Sequence, residues 1–228
     1  LMYGIPEYRL PKDVVRKEIA KIQALGVDFK LNCLVGRNGV TVDSIFADGY
    51  DAIFMGTGTA LPQELKGVPG ATLRGVSQST DLLHNVNAFN EGAIGREMVP
   101  LREGEKVGVI GGGNVAMDAA RTAIRLGADV TVIYRKTQEE MPAIESEYND
   151  AVKEGVKFVW QTNAVEFIGD GNKNKKEERL KAVRLAGPDG EHVEAYDRIF
   201  LAIGSRPASR IVSTTNGIDV DEKGYVIV

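Results

Sequence analysis

Apolar positions change texture along this chain. Up to about residue 104 they are loosely spaced. From Glu105 onward, short apolar runs alternate with helical spacings. In the first part, Val14, Val15, Ile19, Ile22 and Leu25 recur at intervals that predict a helix over 13–25, with Gly26 as its stop. Residues 27–35 read as a strand, and Ala52-Ile53-Phe54-Met55 as a short buried strand entering Gly56-Thr57-Gly58. The stretches 1–11 and 60–75 are rich in Gly and Pro and read as irregular chain and a connection. A helix is expected over 80–93 and a linker over 95–104.

The second part predicts strands over 107–110, 129–134 and 156–160, alternating with helices over 114–126 and 144–154. Antiparallel strands follow over 164–168, 180–185 and 193–195, with Pro188-Asp189-Gly190 as turn chemistry between the last two. A last apolar strand, 197–203, ends at Gly204. Strands alternating with helices imply an α/β fold: a Rossmann-like parallel sheet with helices on both faces, plus a small antiparallel sheet.

The most informative stretch is Gly111-Gly112-Gly113-Asn114-Val115-Ala116, directly after one strand and directly opening a helix. It has the form G-x-G-x-x-A. Gly111 allows a tight turn, Gly113 lets a pyrophosphate approach the backbone, and Ala116 is small enough for close helix–strand packing. The helix N-terminus then offers N–H groups and partial positive charge. An isolated match is equally compatible with an ordinary glycine turn. Strand, helix and second strand in the right order favour nucleotide binding. In NAD-binding versions a carboxylate about 20 residues further on takes the ribose 2′-hydroxyl. Here that strand ends Tyr134-Arg135-Lys136. A guanidinium there can pair with a 2′-phosphate and gains nothing from a bare hydroxyl, which predicts NADP(H). Gly56-Thr57-Gly58-Thr59 and Ile203-Gly204-Ser205 are two further glycine turns after apolar runs. They bracket the unit and suggest one domain inserted in another.

With 43% hydrophobic residues and 26% charged, the chain can build a core. Its net charge of −4, with mixed signs, does not point to nucleic acid. Lys173, Lys175 and Lys176 are followed by Glu177 and Glu178 and read as a solvated loop tip. Cys33 is the one cysteine, which excludes a redox pair or cysteine metal site in this stretch and suits a cytoplasmic setting. No apolar run is long enough to suggest a membrane helix.

The segments Leu1-Met2-Tyr3-Gly4-Ile5-Pro6-Glu7-Tyr8-Arg9-Leu10-Pro11-Lys12, Gly56-Thr57-Gly58, Gly111 to Arg121, Tyr134-Arg135-Lys136 with Glu140-Met141-Pro142-Ala143, and Ala202-Ile203-Gly204 carry a family resemblance. The chain resembles the small subunit of NADPH-dependent glutamate synthase and related FAD–NADPH ferredoxin oxidoreductase subunits. The resemblance implies a FAD domain and an inserted NADPH domain, with hydride passing between NADPH and FAD. It also implies iron–sulfur clusters outside this chain, and an electron-transfer partner that is a glutamate synthase large subunit or ferredoxin-type protein. Residues 1–100 would be the middle of the FAD domain plus linker, 101–204 the NADP domain and 205–228 the return segment. Gly111, Gly112, Gly113, Asn114, Val115 and Ala116 would hold the pyrophosphate. Arg135 and Lys136 would hold the 2′-phosphate. Ile203 and Gly204 would lie toward the nicotinamide, and Gly56, Thr57 and Gly58 toward the flavin.

Two features of the family pattern are missing: a cysteine-rich segment with a first G-x-G-x-x-G, and a final Gly-Asp turn. The chain therefore reads as cut at both ends, expected neither to hold FAD tightly nor to turn over alone. Apolar surface in the flanking segments should then be exposed.

Hydride transfer is the cofactor's chemistry, so no residue is assigned a catalytic role. His84 and His192 read as structural or surface residues, and Cys33 as a small buried one. Glu140-Met141-Pro142 reads as the entry to a helix, and Asp118 as capping or pairing locally. A nucleotide-binding module without turnover is the competing function. A disulfide reductase of related fold would need a second cysteine.

Overall fold

In the computed structural model, which describes residues 1–36, 39–208, 210–213 and 215–227, the period-two alternation of the central strands sorts their side chains into two cores. The chain divides into two compact units: residues 1–17 with 64–203, and residues 18–63 with 204–228. The first unit holds both cores. It begins with the start of α1 (Lys12–Ala24) and continues with β2 (Val76–Gln78), α3 (Ser79–Asn90), β3 (Lys106–Ile110), α4 (Asn114–Arg125), β4 (Asp129–Ile133), α5 (Glu145–Lys153) and β5 (Lys157–Val159). Then come β6 (Asn163–Gly169), β7 (Leu180–Gly187), β8 (Gly190–Ala195) and β9 (Arg198–Leu201).

The main sheet is parallel throughout, in the order β2-β9-β3-β4-β5. Val107, Val109, Val130, Val132 and Phe200 point to one side, against Leu82, Ala116, Met117, Ala120 and Ala151 of the helices. Ile133, Ile199 and Leu201 point to the other, against Phe167, Val183 and Leu185. Helices thus cover one face. The antiparallel sheet β6-β7-β8, rather than a second helical layer, covers the other. The β7–β8 hairpin closes through Pro188 and Asp189, with Gly190 at φ +101°.

The second unit contains the rest of α1, α2 (Val42–Ala47), β1 (Leu61–Pro62), β10 (Ser205–Arg206) and α6 (Arg210–Ser213). β1 and β10 pair antiparallel. The strands expected over 27–35 and 52–55 are absent. A strand needs a hydrogen-bonding neighbour, and no described strand lies beside either segment. Leu31 is 79% and Phe54 97% exposed. The apolar face read on α1 is buried only at Val15; Ile19, Ile22 and Leu25 are exposed. Among the described residues, Val42 and Val212 are the only buried apolar side chains of this unit, in keeping with the expected exposed surface. Among the described residues no helix is long and apolar enough to cross a membrane.

The stretch 1–11 lacks regular structure but is firmly held within the first unit. The buried Lys12 ammonium donates to the carbonyls of Leu1, Ile5 and Leu10. Asn87 Nδ2 donates to the carbonyls of Tyr3 and Ile5. Arg9 pairs with Asp118 at 2.8 Å and with Glu147 at 3.2 Å. Asp118 is therefore not a local pairing residue; its partner lies 109 positions away. Tyr8 lies under the guanidinium groups of Arg121 and Arg125, at 4.7 and 3.9 Å from its ring centre. Burial pushes its hydroxyl up to about 12, so it stays neutral. Arg121, almost fully buried, pairs with Glu147, Asp150 and Glu154.

Glu154 is bound by Arg125 and Arg121, which hold its carboxyl at about 2 against the burial that opposes them. The ordinary value is 4.5. Because the folded value lies below the unfolded one, this stabilisation is complete above pH 4.5 and is lost as pH falls toward 2. Glu154→Gln should cost about 1–2 kcal/mol at neutral pH. It should also flatten the fall in Tm across that acid window, as read by thermal melts monitored by circular dichroism.

Candidate functional site

The carboxyl ends of β3, β4 and β9 lie side by side, because Gly111 N donates to Ile133 O at 3.1 Å and Ala202 N to Ile110 O at 2.8 Å. Between them the chain turns from β3 into α4. Gly111 has φ +140°, and a Cβ there would stand 2.3 Å from Ala202 O. A Cβ on Gly112 would meet the Tyr134 ring at 2.6 Å. Gly113 differs: a Cβ there would meet nothing within 4 Å. The first two glycines are needed for packing, and the third faces open space at the head of the helix.

That helix head is suited to an anion. Gly113 occupies the N-cap position and supplies no side-chain cap. Its carbonyl accepts from Ala116 N and Met117 N. Among the described residues the N–H groups of Asn114 and Val115 have no acceptor, and they belong to the turn whose dipole favours negative charge. Ala116 is fully buried against the sheet, as its small size allows, while Val115 is exposed.

Arg135 and Lys136 follow β4. The backbone on either side of Arg135 is held by the turn after β5, where Thr162 N donates to Tyr134 O and Gln161 N to Lys136 O, both at 3.0 Å. Gln161 adopts φ +53° to make this turn. Tyr134, Tyr148, Phe158 and Trp160 form a ring cluster beneath, with Phe158 and Trp160 stacked at 5.2 Å. Arg135 is exposed and makes no ion pair or hydrogen bond among the described residues. Lys136 is not free in this way: its ammonium is 3.0 Å from Glu140 Oε1.

Residues 140–144 close over the glycine loop before α5 begins. Ala143 N donates to Gly112 O at 3.1 Å, and Ile144 N to Asn114 Oδ1 at 2.9 Å. Sequence reasoning placed Asn114 in the loop but missed this clasp. Nothing in local periodicity signals it, although Glu140-Met141-Pro142-Ala143 stood out as a segment.

The remaining expected residues fall elsewhere. Ile203 ends the first unit, half-buried, just past β9. Gly204 belongs to the second unit, at φ +96°, and its carbonyl accepts from Gln63 N at 3.0 Å. Gly56, Thr57 and Gly58 lie exposed in irregular chain of that unit, with no strand leading into them. They form no cradle among the described residues. Cys33, expected buried in a strand, is exposed in irregular chain. His84 packs against Tyr3 at 4.8 Å, and His192 lies on the exposed face of β8.

The sequence pattern of the pyridine nucleotide-disulphide oxidoreductases matches residues 10–228. The chain belongs to that family. It is 37% identical to the glutamate synthase [NADPH] small chain of Halomonas elongata, over 99% of this chain and 50% of that one. It is 39% identical to the NADP(+)-dependent formate dehydrogenase subunit beta of Moorella thermoacetica, over 83% of this chain and 26% of that one. Among solved structures, the thioredoxin reductase of Lactococcus lactis aligns with TM-score 0.56 and 27% identity, over 75% of this chain and 50% of that one. The chain thus spans about half the length of the glutamate synthase small chain it matches. The resemblance read from the motifs holds over nearly the whole chain. The single cysteine leaves no dithiol pair in this stretch.

The three glycines should separate on substitution. Gly111→Ala, strained in backbone and blocked by a carbonyl, should destabilise by about 2–4 kcal/mol. Gly113→Ala, at φ −91° with open space around it, should change stability by less than about 0.5 kcal/mol. Urea unfolding of the two variants measures the contrast.

Proposed function

We propose that this chain binds NADP(H) across the β3–α4 turn and serves the nucleotide half of an NADPH-dependent flavoprotein oxidoreductase. The observation that carries the reading is the open helix head at Gly113 beside an exposed, unpartnered Arg135 at the end of the next strand. The pyrophosphate would lie over Gly111, Gly112 and Gly113, taking the N–H groups of Asn114 and Val115. Ala116 lets the helix approach closely enough to place them. Arg135 would bind the 2′-phosphate, with Lys136 as a second cation. Ile203 and Gly204, at the exit of β9, would lie toward the nicotinamide.

When bound, NADPH supplies a hydride. The chain's own residues hold and orient the nucleotide and take no proton. In the whole protein the acceptor would be FAD, with electrons passing on through iron–sulfur clusters outside this stretch. They would go to a partner such as a glutamate synthase large subunit or a ferredoxin-type protein, in a cytoplasmic setting. The curated names support that class: one relative is a glutamate synthase small chain and another a formate dehydrogenase subunit. The residues expected toward the flavin form no site for it among the described residues. The domain division remains the one read from the sequence, with 101–204 as the NADP domain, 1–100 as flavin-domain middle plus linker and 205–228 as the return segment, although residues 1–17 and 64–100 pack in one compact unit with 101–203. The competing reading, a binding module without turnover, has no observation of its own.

Calorimetric titration with NADPH and NADH tests the reading. NADPH should bind at least about tenfold more tightly, and Arg135→Ala should remove most of that margin, about 1–2 kcal/mol. Gly113→Val should abolish binding of both nucleotides while the fold persists. Equal affinity for the two would overturn the role of Arg135, and no binding of either would overturn the site.

A further inference from the structure

Residues 135–144 form a strap between the two ends of the proposed nucleotide site, and one carboxylate organises it. Glu140 Oε1 lies 3.0 Å from Lys136 Nζ. Glu140 Oε2 accepts from Thr137 N and Thr137 Oγ1 at 3.4 Å. The Glu140 carbonyl accepts from Tyr134 OH at 3.1 Å, and the same Tyr134 ring packs where a Gly112 side chain would be. Three residues on, Ala143 N bonds Gly112 O, and Ile144 N bonds Asn114 Oδ1. The strap therefore joins the end of β4 to the glycine loop. Its carboxylate binds one of the two cations placed for a 2′-phosphate.

We propose that Glu140 sets the strength of NADP(H) binding by competing with the nucleotide's 2′-phosphate for Lys136. The inference rests on the NADP(H) reading and deepens it. The Lys136 and Glu140 side chains are about half exposed, at 48% and 49%, so their pair is weakly held. A 2′-phosphate carries about −1.5 to −2 charges and three acceptor oxygens, against one charge and two oxygens on Glu140. It can displace the carboxylate, whereas a ribose hydroxyl cannot. The exchange lowers affinity for 2′-phosphorylated nucleotides and leaves affinity for the others alone. In an enzyme that must release oxidised nucleotide each cycle, weaker holding at this end speeds departure.

The test is calorimetric titration of the chain, of Glu140→Gln, of Lys136→Met and of the double variant. The ligands are NADPH, NADH, adenosine 2′,5′-bisphosphate and 5′-AMP. Glu140→Gln should bind NADPH and the bisphosphate roughly threefold to tenfold more tightly. NADH and 5′-AMP should be unchanged. The gain should vanish in the Lys136→Met background, and Lys136→Met alone should cost less NADPH affinity than Arg135→Ala. Unchanged or weaker NADPH binding in Glu140→Gln would overturn the proposal. So would an equal gain for NADH, or a gain that survives loss of Lys136. Failure of the unmodified chain to prefer NADPH would instead overturn the nucleotide reading, so the two failures are distinguishable.

Discussion

The structure of the first unit turns on a backbone approach: Gly111 beside the carbonyl of Ala202. A methyl group at Gly111 would stand 2.3 Å from that oxygen, so any side chain there would push β3 and β9 apart. Because none intervenes, the two strands finish level, and β4 finishes level with them through Gly111 N and Ile133 O. The sheet runs from β3 to β4 and β5 in one direction and to β9 and β2 in the other. The turn therefore sits where strand order reverses, the position at which open α/β sheets form a ligand crevice. The same approach lets α4 begin directly over the crevice with its unpaired N–H groups outward. Packing constraint and binding chemistry are one feature of the backbone.

A second set of forces keeps α4 in that position. Its apolar face buries Ala116, Met117, Ala119, Ala120 and Ala123. Small side chains give close packing but little area, since each methyl contributes only about 1 kcal/mol. The other side of α4 carries Asp118, Arg121 and Arg125, which pair with Arg9, Glu147, Asp150 and Glu154, and its two arginines stack on Tyr8. Such a partly buried network adds less net stability than its contacts suggest, because each charge first loses water. Its clearer effect is geometric. It fixes the stretch 1–11 and α5 to one helix, and α5 carries the strap that closes over the glycine loop.

The legible part of the fold was the part whose signals are local. Strands β3 and β4 and helices α4 and α5 were all readable to within a residue or two at each end, because the first three bury a complete face within this chain and α5 turns Tyr148 and Ala151 inward. β2 was not readable: Val76-Ser77-Gln78 is too short for a pattern, and it is a strand only because β9 lies beside it. The opposite error occurred at 27–35 and 52–55, where apolar composition was read as pairing that no described strand supplies. The site followed the same rule. The glycines and Arg135 were visible from spacing. The Arg9–Asp118 pair and the Asn114–Ile144 clasp join residues 109 and 30 positions apart and have no local signature.

The two cations after β4 show why position in sequence understates function. Arg135 and Lys136 are adjacent and chemically alike, and spacing assigns them one role. The chain nonetheless treats them differently. Arg135 is left open to solvent, between the carbonyls of Tyr134 and Lys136, which accept from Thr162 N and Gln161 N in the turn after β5. Lys136 is engaged by Glu140, and Lys136 and Thr137 together hold that carboxyl below its usual range. Glu140 therefore carries its full negative charge at neutral pH, beside the place where a second negative group would arrive. A site meant only for tight binding would leave both cations free. Holding one of them in reserve gives a graded site, with one cation for recognition and another that must be won from an internal competitor.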